Sequence, residues 1–320
     1  MKTIRAWSSF LSAFLNSSRS RPNPRFKLGS AVSEPRIGLA LGGGFARGVA
    51  HAGVLRVFQR EGIPLHCITG VSAGAIVAAA YASGAAPEEI ARAGCAMRFT
   101  DVARWSIRRM GFVVTDRMKR FLERLLKTYR FEEMRIPLGV VATDLCTGEP
   151  VAFRDSGDVF LPIQASCSYP GLFQPVRLGG QLLVDGAMST EVPALLARQL
   201  GANYVVSVHL PAQRGLQAPS NLAQVIHRCF QIMQSHNELN WRRDSDLVIA
   251  PDVSGVAWDG FECGSQMVEA GEAAAMAVMP VIRSWLPREA ASISEKLAVT
   301  PAQPATGTLQ VQPDAPPIIS

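Results

Sequence analysis

Ser72 stands in Gly70-Val71-Ser72-Ala73-Gly74, a G-x-S-x-G pattern. This spacing suits a nucleophile elbow, a sharp strand-to-helix turn that exposes the serine hydroxyl while the flanking glycines let neighbouring elements come close. The chemistry is acyl transfer through a serine ester. The pattern is common by chance, so its context carries the weight. Upstream lies Leu41-Gly42-Gly43-Gly44-Phe45-Ala46-Arg47-Gly48. Two phosphate-binding readings of it fail. A dinucleotide fingerprint begun at Gly42 needs Gly or Ala where Arg47 stands, and one begun at Gly43 needs a glycine where Phe45 stands. As a P-loop, Gly43 and Gly48 are correctly spaced, but Val49-Ala50 replaces Lys-Ser/Thr. An oxyanion hole is the reading that accounts for both segments. Gly42, Gly43, Gly44, Arg47 and Gly48 would form a loop with N–H groups turned to a tetrahedral intermediate, where loss of one donor typically costs ~10²–10³ in rate.

A hydroxyl nucleophile needs a base. The five histidines are His51, His66, His209, His227 and His236. None follows the order in which a late acid precedes a C-terminal histidine. His209, at a strand end, stays open as a triad partner. The better-placed candidate is Asp185, in Leu182-Leu183-Val184-Asp185-Gly186-Ala187, an acid closing an apolar strand before a turn glycine. Its ordinary pKa of about 3.9 is low for a base, so partial desolvation and a short hydrogen bond must help it.

The elements that must hold these residues alternate between strand and helix. Arg36–Leu41, His66–Thr69, Leu138–Thr143, Leu182–Val184, Tyr204–Leu210 and Leu247–Ala250 read as strands. A helix runs from the glycine loop to Glu61 and stops at Gly62, and another spans Ala73–Ser83 and stops at Gly84. This predicts an α/β domain with a mostly parallel sheet between helices.

These segments together resemble the bacterial patatin-like phospholipase family. Ile37–Gly48 is similar to its anion-hole motif, Gly70–Gly74 to its elbow and Asp185-Gly186-Ala187 to its Asp-Gly-Gly/Ala motif. Ala142–Glu149 and Ser168–Phe173 also match bacterial members, and the likeness covers residues 35–285. The resemblance implies a three-layer α/β/α patatin-like fold with a mostly parallel central sheet. It also implies a Ser72–Asp185 dyad without histidine, no metal or other cofactor, and hydrolysis of acyl esters in phospholipids or lysophospholipids. Gly70, Gly74 and Gly186 support the motifs. Phe45 replaces a usual glycine, so the backbone there is expected to avoid positive φ, and Glu191 replaces a usual Asn. Two other readings stay open: a non-catalytic regulatory protein on this fold, and a soluble esterase or thioesterase.

Composition bounds the rest. The chain has 320 residues, 48% hydrophobic and 18% charged, enough for a sizeable core. Residues 1–33 are read as a basic amphipathic arm, with Ile4, Trp7, Phe10, Leu11, Phe14 and Leu15 on one helical face, suited to a membrane interface. The resemblance implies a phospholipase domain over residues 34–286, and residues 287–320 are read as a Pro-rich tail expected to be disordered. Residues 1–30 hold six basic residues and no acid, which leaves 26 of each sign elsewhere. The charge therefore gives no reason to expect nucleic acid. Six widely spaced cysteines read as free thiols in a reducing compartment, so the expected location is cytoplasmic, peripheral on the inner membrane face. Residues 95–135 read as a cap, with Arg104, Arg108, Arg109, Arg117, Lys119, Arg120, Arg124, Lys127 and Arg130 over a stripe of Met118, Phe121, Leu122, Leu125, Leu126 and Tyr129. A solvated basic face over core packing is the favoured account of that helix.

Overall fold

Uncharged apolar runs build the middle of the molecule. In chain order the strands are β1 (Ile37–Leu41), β2 (Cys67–Gly70), β3 (Arg104–Arg108), β4 (Gly111–Val114), β5 (Leu138–Asp144), β6 (Pro150–Phe153), β7 (Val176–Leu178), β8 (Gln181–Asp185), β9 (Tyr204–Val208) and β10 (Leu247–Ile249). The helices are α1 (Ala50–Arg60), α2 (Ala73–Ser83), α3 (Pro87–Ala96), α4 (Phe99–Val102), α5 (Met118–Leu125), α6 (Phe160–Ser166), α7 (Ala194–Gln199), α8 (Leu222–Arg242) and α9 (Gly264–Trp285). This computed structural model describes residues 34–287, apart from 103, 109–110, 115–116, 212–217 and 258; side chains at 103–116 and 223 also lie outside the description. The expected arm at 1–33 and the tail from 288 on, together with the side chains of Arg104, Arg108 and Arg109, therefore lie outside the described residues.

Strands β10, β9, β1, β2 and β5 lie side by side and are all parallel. Every residue of β1, β2 and β5 is buried, as expected of strands covered on both faces. The molecule is thus a mixed α/β fold around a mostly parallel sheet. β6, β7 and β8 add antiparallel pairings at the β5 side, and β3 and β4 form a separate hairpin.

The register around β5 is what positions the site. β6 pairs antiparallel with Val140–Thr143, β2 pairs parallel with Leu138–Val140, and β8 pairs antiparallel with Ala142–Asp144. Both β2 and β8 overlap β6 in register, so β6 holds one edge of β5 and the other two share the opposite edge. There they run toward each other. Gly70, the last residue of β2, lies opposite Val140, and Asp185, the last of β8, lies opposite Ala142. Two residues of strand, about 7 Å, separate the two ends.

Helix α2 leaves this junction. Eight of its eleven residues are buried, and small side chains let it sit close to the sheet on all sides. Its last turn closes on Gly84 at φ 103. The glycine loop leads first into a 3₁₀ turn, Phe45–Val49, and only then into α1. On α5, Met118, Leu122 and Leu125 are buried while Lys119, Arg120 and Arg124 face solvent. The stripe ends sooner than expected, because the helix stops at Leu125 and Tyr129 is exposed beyond it. No helix among the described residues is long and apolar enough to cross a membrane.

Candidate active site

The turn after β2 holds Ser72 at φ 54, ψ −124, in a region that side-chain-bearing residues rarely enter. The surroundings fix that conformation. The Ser72 N–H donates to Ser166 Oγ (2.8 Å), and Ser166 Oγ donates to the Val141 carbonyl (2.6 Å) in the gap between the two strand ends. Gly74 is required by close packing: a Cβ there would fall 2.4 Å from the Leu41 carbonyl oxygen. Gly70 and Gly48 meet the same elbow helix, at Ala75 and Ala73.

Ser72 and Asp185 meet. Ser72 Oγ donates to Asp185 Oδ2 at 2.7 Å, with the two residues 7% and 1% exposed. Asp185 Oδ1 accepts the Ala187 N–H (2.9 Å), its own N–H donates to the Ser168 carbonyl (2.9 Å), and its carbonyl accepts from Thr143 Oγ1 (3.0 Å). Burial pushes the Asp185 carboxyl up to about 7, against the pull of the Ala187 and Ser72 hydrogen bonds. Gly186 is needed where the strand ends abut, since a Cβ there would lie 2.1 Å from the Val141 carbonyl oxygen.

The glycine loop lies beside this pair. A Cβ on Gly43 would touch Ser72 Cβ at 3.5 Å and Ala187 Cβ at 3.6 Å. The Gly42 and Gly43 N–H groups are committed to the Val208 and Glu191 carbonyls (3.0 and 3.3 Å), and that of Arg47 to the Gly44 carbonyl (3.1 Å). Among the described residues the Gly44 N–H meets no acceptor. The Arg47 guanidinium is buried and donates to the Pro211 carbonyl (3.0 Å). Burial lowers its pKa, against the field of Glu191.

The expectation for Phe45 is corrected: its φ is 51, in the left-handed region. The turn from the loop into the 3₁₀ segment demands that backbone, at a cost of roughly 1–2 kcal/mol for a residue with a Cβ. The ring packs edge-on against Tyr169 with centroids 5.0 Å apart, an offset of about 0.5–1.5 kcal/mol.

His51, His66, His209 and His227 hydrogen-bond other groups. His209 Nε2 pairs with Glu191 Oε1 (3.0 Å), and its ring lies against Trp241. Glu191 Oε2 accepts from Trp241 Nε1 (3.3 Å), so this residue braces the glycine loop rather than Asp185. His51 is fully buried, and burial lowers its pKa to about 4. It is neutral, and its Nε2–H donates to the Gly42 carbonyl (2.9 Å). Sequence reasoning missed His51, Ser166 and Ser168 as supports. Only the Ser168–Phe173 segment pointed to one of them, Ser168. Among the described residues, no three His, Cys, Asp or Glu side chains gather as a metal-holding group.

A buried serine–aspartate pair thus lies at the meeting point of two strand ends, beside a glycine loop, on a mostly parallel α/β sheet. The model of the patatin-like phospholipase family matches residues 39–198, half of the chain, and the chain belongs to that family. An uncharacterized NTE family protein of Mycobacterium tuberculosis is 32% identical over 181 residues, 56% of this chain and 50% of that protein. A lysophospholipase NTE1 of Debaryomyces hansenii is 29% identical over 194 residues, 58% of this chain and 12% of that one. This chain thus spans about half the length of the mycobacterial relative, and far less of the yeast one. VipD from Legionella pneumophila shares the fold at a TM-score of 0.53 and 15% identity, over 78% of this chain and 67% of that one.

Proposed function

We propose that this chain is a serine hydrolase that cleaves acyl ester bonds of lysophospholipids and phospholipids. The observation that carries the reading is the 2.7 Å hydrogen bond from Ser72 Oγ to buried Asp185, whose carboxyl is pushed up to about 7 by burial. In this reading Ser72 Oγ attacks the ester carbonyl while Asp185 Oδ2 takes the hydroxyl proton. The negative charge on the carbonyl oxygen develops toward the Gly44 N–H and the positive N-terminal end of α2. Collapse of the intermediate expels the alcohol, which takes the proton back from Asp185. Water then attacks the acyl-Ser72 ester with Asp185 again as base, and the fatty acid leaves. A base with a pKa near the working pH combines ionisation with proton affinity.

The lysophospholipid preference follows the name of the yeast relative and the enclosed setting of Ser72. The test is to incubate the protein with mixed lysophospholipids and diacyl phospholipids and analyse the released fatty acids. Ser72→Ala and Asp185→Asn should each abolish release. A fluorophosphonate probe should label Ser72 in the folded wild type. Fatty-acid release by Ser72→Ala at the wild-type rate would overturn the assignment.

A further inference from the structure

Helix α8 has two unlike faces. On the inner one, His227 Nδ1 pairs with the Tyr169 hydroxyl (3.0 Å), and Phe230 packs edge-on against the Tyr169 ring (centroids 5.3 Å apart). Further along, Gln234 Nε2 reaches the carbonyl of Ala187 (3.5 Å), whose N–H holds Asp185, and the Trp241 indole reaches Glu191 (3.3 Å). This face therefore packs on Tyr169, Ala187 and Glu191, the residues around the Ser72–Asp185 pair. Tyr169 ties it to the glycine loop through Phe45.

The opposite face has no partner among the described residues. Leu222, Val225, Cys229, Ile232, His236 and Leu239 recur at intervals of three and four, a single stripe along the helix. All six are exposed, Leu222 by 74% and Leu239 by 68%, and Met233 adds 48% beside Ile232. A soluble surface seldom carries an apolar row of this length, interrupted only by His236, without a use for it. The charges choose among occupants. Arg228 borders the stripe and Arg243 closes it. The one acid of the helix, Glu238, lies on the other side and is paired with Arg242 at 2.7 Å. An apolar stripe whose bordering charges, Arg228 and Arg243, are both cationic matches a lipid surface with anionic headgroups.

We infer that α8 docks on an anionic lipid surface through this outer stripe, which sets the Ser72 site directly beneath the interface. The inference deepens the lipid-hydrolase reading and rests on it for its purpose, but the docking itself is measurable without catalysis.

The experiment uses the full chain with vesicles of phosphatidylcholine alone and of phosphatidylcholine mixed with phosphatidylglycerol. Binding is read by co-sedimentation. The expected result is binding to the mixed vesicles, reduced roughly a hundredfold in the Ile232→Glu, Leu239→Glu double variant, which exchanges two insertable side chains for charges. Arg228→Ala should weaken binding about fivefold on the anionic vesicles and leave the neutral ones unchanged. The double variant should hydrolyse p-nitrophenyl butyrate at the wild-type rate, which shows that it is folded, since neither side chain faces Ser72. Ser72→Ala should bind vesicles as the wild type does. If the hydrolase reading fails, ester turnover is absent while vesicle binding persists. Wild-type vesicle binding in the double variant would overturn the docking inference. So would a wild-type dimer in light scattering that the double variant converts to monomer with no change in vesicle binding, because the occupant would then be a second copy of this chain.

Discussion

Exchanging Asp185 for asparagine should destroy the activity and stabilise the protein, and the stabilisation should depend on pH. In the folded chain the carboxyl is held at about 7 by burial, against its ordinary 3.8. Between those two values the folded state keeps a proton that the unfolded state has released. Stability therefore falls as pH rises through this window, and the fall is complete above about pH 7. At about 1.4 kcal/mol per pH unit, keeping an ionised Asp185 in the fold costs about 4 kcal/mol at pH 8. Asparagine has nearly the same shape and no charge. Its carbonyl oxygen can still accept the Ala187 N–H, and its amide can donate to Ser72 Oγ.

Urea and thermal unfolding of wild type and Asp185→Asn at pH 5 and pH 8 measure the effect. The stability difference should move in favour of the variant by about 3 kcal/mol between the two pH values. For a domain of this size that corresponds to roughly 6–12 °C in midpoint temperature. A difference that stays constant with pH, or a variant less stable than wild type at pH 8, would refute the reasoning. It would mean that the two hydrogen bonds outweigh burial and hold the carboxylate ionised well below 7.

The same titration predicts a rise of kcat/KM for a soluble ester as pH passes through about 7, because the proposed base must be ionised; a profile flat from pH 5 to 9 would contradict it. At position 45, Ala keeps the left-handed strain and loses the ring, whereas Gly loses both. Phe45→Gly should therefore unfold about 1 kcal/mol later than Phe45→Ala in urea titrations. Gly186→Ala places a methyl 2.1 Å from the Val141 carbonyl oxygen, so the strand ends must part. It should cost at least ~2 kcal/mol in denaturation and slow fluorophosphonate labelling of Ser72.

How far the site was legible in the sequence depends on the range of each interaction. The elbow was legible because its determinants are local: a short buried strand, glycines at 70 and 74, and a run of alanines that can only be an interior helix. Strand positions were legible from apolar runs to within two residues. The exchange of Arg36–Leu41 for Ile37–Leu41 is typical. Strand direction was not. The apolar run Leu182–Val184 reads the same whichever way it points, and alternation alone suggested one more parallel strand. β8 is antiparallel, and that reversal makes the pair. Had β8 run parallel to β5, its final residue would lie at the same end as that of β5, away from Gly70. Because it runs backward and pairs only with Ala142–Asp144, its carboxyl end stops opposite Ala142, where β2 running forward stops opposite Val140.

The residues that seal this junction are distant in sequence, and their chemistry is unremarkable on its own. Ser166 reaches Ser72 across 94 residues, and Thr143 reaches the Asp185 carbonyl across 42. A serine at 166 carries no signal until the gap at the Val141 carbonyl is known to exist, since an unfilled acceptor in that gap would cost about 1–3 kcal/mol. Phe45 fails for the opposite reason. Its local preference was read correctly as aversion to positive φ, and a contact with Tyr169, 124 positions away, offsets part of that strain. The ring that offsets the strain also meets, through Tyr169, the inner face of α8. The residue least suited to its own backbone thus joins the glycine loop to the helix above the site.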